Sequence, residues 1–304
     1  MKMANSCCDA CASTNVVRFF IRNDLTFLVC RSCGHCNQFI RSSNRTETFE
    51  NIQGRYYGLE TRAIHTSNSP FDREILKTRA RIFSRYVSCK CSIIEVGPGA
   101  GAFLNWLSIN GHRVLAVEHS PQLASYLSRR FSIPVINDEF EKTSIGSSVA
   151  DAFCSFHVIE HVAQPIEHLA KAFEVVRAGG YAFVATPNSQ AWEQRLPGRF
   201  SPNYDSAHLR IFSPISLRKV CESAGWTVAK VFTPEYTSGW LRVASKLIRH
   251  ARGEDEEETA GKYYGDNSWL FRGFALFART ITSPVRLIQS ICGAGNELFF
   301  VLKK

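Results

Sequence analysis

Ser92-Ile-Ile-Glu-Val-Gly-Pro-Gly-Ala-Gly-Ala-Phe-Leu104 decides the fold. Ile93, Ile94 and Val96 form a short apolar run of the kind that fills a buried parallel strand. Gly97, Gly99 and Gly101 come next at alternate positions, and an apolar helix pattern starts at Ala102. A strand, a tight glycine turn and a helix N-terminus make a cradle for an anionic or polar ligand. Glycine permits positive φ and lets a ligand approach the backbone with no Cβ in the way. The same glycines also suit a plain tight turn, so the residues downstream must decide between the two.

Downstream, strands and helices alternate. Arg113-Val-Leu-Ala-Val-Glu118 reads as a second strand ending in an acid, after a helix stopped by Asn110-Gly111. A helix covers Pro121–Phe131, and residues 133–137 form a short third strand with Asp138 and Glu139 at its end. Residues 150–157 form a fourth strand that runs into His157-Val-Ile-Glu-His-Val162. Pro165 opens a helix capped by Gly179-Gly180, and residues 181–186 are the fifth strand, closing with Thr186-Pro-Asn188. Ser213-Pro214 starts another helix, residues 226–233 are a sixth strand and 297–302 the last. Alternation of this kind predicts an α/β, doubly wound Rossmann-like sheet whose ligands bind at the carboxyl ends of the strands. Upstream, Ser69-Pro70 reads as N-cap and first residue of a helix running to about Val87.

Six of the eleven cysteines lie in the first 36 residues. Cys8-x-x-Cys11 and Cys30-x-x-Cys33 are two knuckles, each offering two thiolates at the bite tetrahedral Zn²⁺ requires. They predict a small N-terminal zinc ribbon over residues 1–40, with Cys7, Cys36 and His35 as competing ligands. Its role is either substrate recognition or a structural staple for a piece too small to fold alone. Residues 41–69 are a polar linker in which Tyr56-Tyr57 are expected to pack on the neighbouring domain. The core is assigned to 70–235, a helical insertion to 236–296 and the last core strand to 297–304.

Net charge is +9, and Glu254-Asp-Glu-Glu-Glu258 holds five of the 27 acids. Outside that run, 36 cations face 22 acids, a balance of +14. Such a surface suits phosphate-bearing partners, among them nucleotide-sugars, anionic lipid and nucleic acid. The N-terminal residues lack the apolar stretch of a signal peptide, and no run is long and apolar enough to span a bilayer. With so many cysteines, a cytoplasmic, reducing location is expected.

Residues 188–212 lack periodicity and contain Trp192, Phe200, Tyr204, His208 and Phe212, as expected of a substrate lid. Within the insertion, 268–291 is aromatic and basic with no acid. It suits peripheral contact with an anionic membrane. The expectation placed first is a helical cap on the sheet or on the second subunit of a homodimer, with Pro284 breaking the segment.

Two ligand classes use the Gly97 turn. Dinucleotides take G-x-G-x-x-G/A, met loosely by Gly97, Gly99 and Ala102. S-adenosylmethionine takes an acid two residues before G-x-G-x-G, met fully by Glu95, Gly97, Gly99 and Gly101. With Val117-Glu118, His157-Val-Ile-Glu-His-Val162, Ala178-Gly-Gly180, Thr186-Pro-Asn188 and His208-Leu-Arg-Ile-Phe-Ser-Pro214 in this order, residues 70–235 resemble a class I S-adenosylmethionine-dependent methyltransferase. The branch it resembles is that of ubiquinone-biosynthesis and sugar methyltransferases. The N-terminal knuckles are similar to the zinc module of bacterial sugar C- and O-methyltransferases.

The resemblance implies seven strands, the last antiparallel. It implies that Glu95, Gly97, Gly99 and Gly101 hold the methionine end of the cofactor and Glu118 the ribose. Asp138 and Glu139 then lie near adenine, and His157 lies beside the cofactor. Pro98 departs from the commonest pattern by removing one backbone N–H. An oxygen nucleophile must lose a proton, and His157, His161 and His208 are the catalytic residues expected to take it. Small-RNA 2′-O-methyltransferases are similar here, holding magnesium with Glu-x-x-Glu-His and a distant His. His157 replaces the first Glu of that set. The expected activity is methyl transfer to an oxygen or carbon of a small-molecule, sugar or lipid-linked acceptor. RNA modification or RNA binding is the rival reading.

Overall fold

The computed structural model describes residues 7–22, 25–40, 69–204, 207–252 and 269–304. Tyr56-Tyr57, the linker and the acidic run lie outside the described residues.

The stretch 92–104 folds as its pattern predicts. Strand β4 (Ser92–Val96) is buried from Ile93 onward, and helix α2 (Ala102–Ile109) follows the glycine turn. Around β4 stand β5 (Arg113–Val117), β6 (Val135–Ile136) and β7 (Ala150–Phe156), all parallel to it or to its neighbours. Beyond β7 come β8 (Val176–Pro187), β10 (Thr227–Phe232) and β11 (Glu297–Lys303). The seven run in the order β10-β11-β8-β7-β4-β5-β6, and β11 is antiparallel to both neighbours. Inserting a reversed strand between β8 and β10 puts its first residue, Glu297, at the carboxyl edge, opposite Pro187.

Helices cover both faces. Helix α1 (Pro70–Phe83) begins with a Ser69 capping box, Asp72 answering the Ser69 hydroxyl and backbone. Helices α3 (Pro121–Phe131) and α4 (Pro165–Val175) follow β5 and β7. Helix α5 (Trp192–Arg195) is a single turn, and α6 (Pro214–Ser223) precedes β10. One buried layer joins Ile94, Phe153, Leu169, Val184, Leu217 and Phe300, and a second on the opposite face joins Phe83, Ile93, Leu104, Phe183 and Phe299. The alternation along β11, Phe299 to one layer and Phe300 to the other, is the period of a strand buried on both sides.

The N-terminal strands β1 (Val16–Arg22), β2 (Leu25–Cys30) and β3 (Cys36–Ile40) form an antiparallel ribbon. A fourth strand, β9 (Arg210–Ile211), comes from the core and pairs with β3.

Four expectations need correction. Helix α1 ends at Phe83, not near Val87, its last turn loosening into successive short-range bonds from Arg85 and Tyr86. Gly179-Gly180 do not cap α4. The helix stops at Val175 and the chain enters β8 at once, where Gly180 lies too close to the Asp151 and Arg177 carbonyls for a Cβ. Residues 188–212 are a strap, not a free lid. Ser189 and Asn188 bridge to Phe212, Tyr204 and Phe212 are buried, and β9 is held by the ribbon. Pro284 does not break its segment. Helix α7 (Ser238–Ala251) is followed by α8 (Trp269–Ile291), which runs through Pro284. Pro284 and Thr280, whose carbonyl loses its helical partner, are both exposed, so water can satisfy it.

Candidate active site at the carboxyl edge

The turn after β4 has Gly97, Gly99 and Gly101 all at positive φ, at 62°, 55° and 78°. A Cβ at Gly97 would strike Val158, and one at Gly101 would strike Leu127 and Phe131. At Gly99 nothing lies within 4 Å of where a Cβ would stand, so the backbone there faces open space. Gly101 is the N-cap of α2 and offers its first turn no side-chain cap. A ligand at this turn therefore meets bare backbone N–H groups at a helix N-terminus.

Two acids flank the turn. Glu95 is 2 % exposed and its Oε2 has no hydrogen-bond partner. Burial pushes its carboxyl up to about 8, against the pull of Arg79. A buried carboxyl oxygen without a hydrogen-bond partner is costly unless a cationic or donor group arrives with a ligand. Glu118, one residue past β5, is also buried, and its Oε1 accepts from the Ser120 N–H at 2.9 Å. Burial raises its carboxyl too, while N–H groups of Ser120, Gly99 and His119 oppose the shift. Asn137 donates to the Glu118 and His119 carbonyls, joining the ends of β5 and β6. Asp138 and Glu139 come next. Asp138 is exposed and accepts from the Glu139 N–H, and Glu139 pairs with Lys142 at 2.8 Å.

On the other side of the edge stands a charged chain. His157 follows β7 with φ 57°, in the left-handed region that favours glycine. Its Nδ1 lies 3.1 Å from Glu160 Oε1 and its Nε2 2.7 Å from Glu297 Oε2. Glu160 also accepts from the Thr186 hydroxyl at 2.9 Å. Glu297 receives Arg79 Nη2 at 2.8 Å and the Tyr236 hydroxyl at 2.8 Å. The His157 ring is 41 % exposed; what burial it has works against its charge, but the two carboxylates outweigh that and bring it up to about 9. Burial works against ionisation of both carboxylates as well. His157 pulls Glu160 down to about 2, and Arg79 with His157 does the same for Glu297. His157 is thus an imidazolium at neutral pH, with both nitrogens committed.

Glu160, His161 and His208 gather a carboxylate oxygen and two ring nitrogens within 4.8 Å of one another. His161 Nδ1 donates to the Ala207 carbonyl at 2.8 Å, and the His161 and His208 rings stack at 4.9 Å. The turn that gathers His157, Glu160 and His161 is not helical, because His157 takes its left-handed conformation there. The sequence reading missed Glu297, Arg79 and Tyr236. The available signal was an acid opening an otherwise apolar last strand. It also missed Glu193, Glu235 and Asn296, buried polar groups that converge on Gly239 with oxygen and nitrogen atoms left unpartnered.

The four knuckle cysteines come together. Cys8 and Cys33 sulfurs are 3.7 Å apart, as are Cys11 and Cys30. The edge of a tetrahedron with ~2.3 Å metal–sulfur bonds is about 3.8 Å. Cys36 is instead buried against Tyr204, with its thiol pushed up to about 12, and His35 contacts Ser216 and Asp9. Neither joins the cluster.

A family model described as a methyltransferase domain matches residues 64–231. The chain belongs to that methyltransferase family. A probable S-adenosylmethionine-dependent methyltransferase of Mycolicibacterium smegmatis is 24 % identical over 137 residues, 45 % of this chain and 52 % of that protein. The chain spans about half the length of the curated relatives it matches. Among solved structures, a SAM-dependent methyltransferase from Archaeoglobus fulgidus superposes with TM-score 0.51 at 16 % identity, covering 76 % of this chain and 94 % of that one. The 1,6-didemethyltoxoflavin-N1-methyltransferase of Burkholderia thailandensis superposes with TM-score 0.52 at 12 % identity, covering 94 % and 98 %. Its crystal structure contains bound 1,6-didemethyltoxoflavin and S-adenosylhomocysteine. At such identities these two establish the fold: the methyltransferase sheet predicted from the strand order.

Proposed function

We propose that this methyltransferase-family chain uses S-adenosylmethionine to methylate an oxygen, or a carbon, of a small-molecule, sugar or lipid-linked acceptor. The observation that carries the reading is the buried carboxyl of Glu95, whose Oε2 has no hydrogen-bond partner, beneath an open glycine turn. The cofactor, when bound, supplies a methyl group activated on a sulfonium. Glu95 and the backbone of Gly97, Gly99 and Gly101 would hold its amino-acid end, Glu118 its ribose hydroxyls, and Asp138 with Glu139 would border the adenine. A carboxylate near a cationic ligand is favourable, and methyl transfer is mostly a matter of positioning.

On the acceptor side, His157 cannot take a proton while it is an imidazolium between two carboxylates. It would fix Glu160 and stabilise negative charge nearby. Proton removal then falls to His161 or His208. The same reading assigns the Cys8, Cys11, Cys30 and Cys33 cluster to Zn²⁺, with residues 1–40 as the metal-stapled module. Four thiols within 4.8 Å of one another, two pairs of them at zinc's sulfur–sulfur spacing, support this.

Glu95 provides the test. At pH 7 a group with a pKa of about 8 is mostly protonated. A ligand's ammonium group would bring it back toward the ordinary carboxylate range. Binding of S-adenosylhomocysteine at pH 7 should therefore release up to about one proton, read as a dependence of calorimetric heat on the ionisation enthalpy of the buffer. Glu95→Gln should abolish the release. Binding with no proton release in the wild type would remove Glu95 from the cofactor site.

A further inference from the structure

Helix α8 is built with its polar side inward. Ala275 and Gln289 are buried, and Arg286 bonds Glu74 of α1 at 2.8 Å and the Glu235 carbonyl at 3.2 Å. The opposite side presents Leu276, Phe277, Ile281, Leu287, Ile288 and Ile291, each 51 to 75 % exposed. At 100° per residue these six fall on one outward arc, which contains no charged residue. Exposed apolar surface this continuous marks an interaction site. Among the described residues no helix is long and apolar enough to cross a membrane.

What surrounds the face selects its partner. Arg279 stands exposed at the edge of the apolar arc, 4.0 Å from Glu74. On α1, Arg73, Lys77 and Arg81 are exposed at four-residue intervals, forming a basic row beside Glu74. An anionic bilayer offers apolar depth and negative charge together.

We infer that the outer face of α8, flanked by the basic row of α1, seats this protein on an anionic lipid surface. The inner side of α8 meets Glu74, Thr233 and Glu235, beside the Arg79–Glu297–His157 chain. The seated face is thus close to the proposed acceptor side. The inference stands apart from the proposed cofactor, because docking needs no methyl transfer.

The test is flotation of the full chain with phosphatidylglycerol–phosphatidylcholine vesicles and with phosphatidylcholine alone, at 0.1 M salt. The expected result is binding to the first and little to the second. Phe277→Glu with Ile288→Glu should abolish it, with melting temperature and S-adenosylhomocysteine affinity unchanged because both side chains are exposed. Lys77→Glu with Arg81→Glu should weaken vesicle binding at least tenfold, each charge counting about fivefold. Three results would overturn the inference: no binding to anionic vesicles, binding that survives the Phe277/Ile288 pair, or a solution dimer that this pair dissociates. Equal binding to neutral vesicles would overturn the choice of an anionic surface.

Discussion

Cys30→Ser is expected to release the N-terminal ribbon and to cut methyl transfer at least tenfold, while leaving the affinity for S-adenosylhomocysteine within about twofold. The first half follows from size. The core around the knuckles is Cys8, Val16, Leu28, Cys30 and Cys33, so the thiols themselves fill much of that end of the ribbon. Pieces below about 40 residues rarely fold without a metal or disulfides. A structural zinc contributes about 10–16 kcal/mol in isolated fingers, far more than this core could replace. The second half follows from the contacts. Asp9 holds Arg210, whose guanidinium also caps the carbonyls of Val162 and Ala163 just past His161. Ser213 Oγ donates to the Cys33 carbonyl, Ser189 Oγ to the Gly34 carbonyl, and β3 pairs with β9. These ties fix the strap that carries His208. The Gly97 turn lies across the sheet edge and shares none of them. Zinc by atomic emission should be one per chain in the wild type and absent from the variant. A variant that keeps its zinc and its turnover would refute the assignment.

Glu297→Ala should lower stability to denaturant by about 3–5 kcal/mol, the typical cost of leaving a buried ionic partner uncompensated. Arg79 keeps its charge but loses its one hydrogen-bonded carboxylate, retaining the Phe156 ring and the more distant Glu95, and the Tyr236 hydroxyl and His157 Nε2 lose their acceptor. Glu297→Gln keeps the shape and should cost less. A loss below about 1 kcal/mol for Glu297→Ala would mean that the chain of charges is not coupled as described. The same groups set the pH dependence. Glu160 and Glu297 are held near 2, so their contribution is present above the ordinary carboxylate range and lost as pH falls through about 2. His157 is raised to about 9, so its contribution is present below about 6.5 and lost as pH rises through 9. Glu95 and Glu235, both raised to about 8, favour the folded protein while protonated, and this is lost between about pH 4.5 and 8. Ligand-free stability should therefore peak in mildly acid solution and fall steadily toward pH 9, as followed by chemical denaturation at a series of pH values.

Local pattern carried much of the architecture into view. The apolar run 92–96 needs only its own residues to read as a buried strand, and Ser69-Pro70 and Ser213-Pro214 need only their own caps to start helices. The two C-x-x-C knuckles announce their pairing by spacing. The reading went astray wherever a distant partner decided. Gly179-Gly180 resemble a helix stop, yet β7 recruits Val176 into the sheet before the glycines are reached. Aromatic residues in an aperiodic segment suggested a lid, yet Tyr204 packs on Phe20 and Phe27 of the ribbon, more than 170 residues away in sequence. Of the two acids that flank His157, only Glu160, three residues away, was visible. The second, Glu297, arrives from 140 residues downstream on the reversed strand. Pro284 marks a break in most contexts, but on an outward face its lost bond has water to replace it.

Calorimetric titration with S-adenosylhomocysteine, wild type against Glu118→Ala, tests the central claim most directly. One site of micromolar affinity is expected in the wild type. Losing a charge-assisted hydrogen bond to a ribose hydroxyl is a matter of about 1.5–3 kcal/mol, so the variant should bind roughly ten- to a hundredfold more weakly. No binding by the folded wild type, or equal binding by the variant, would contradict it.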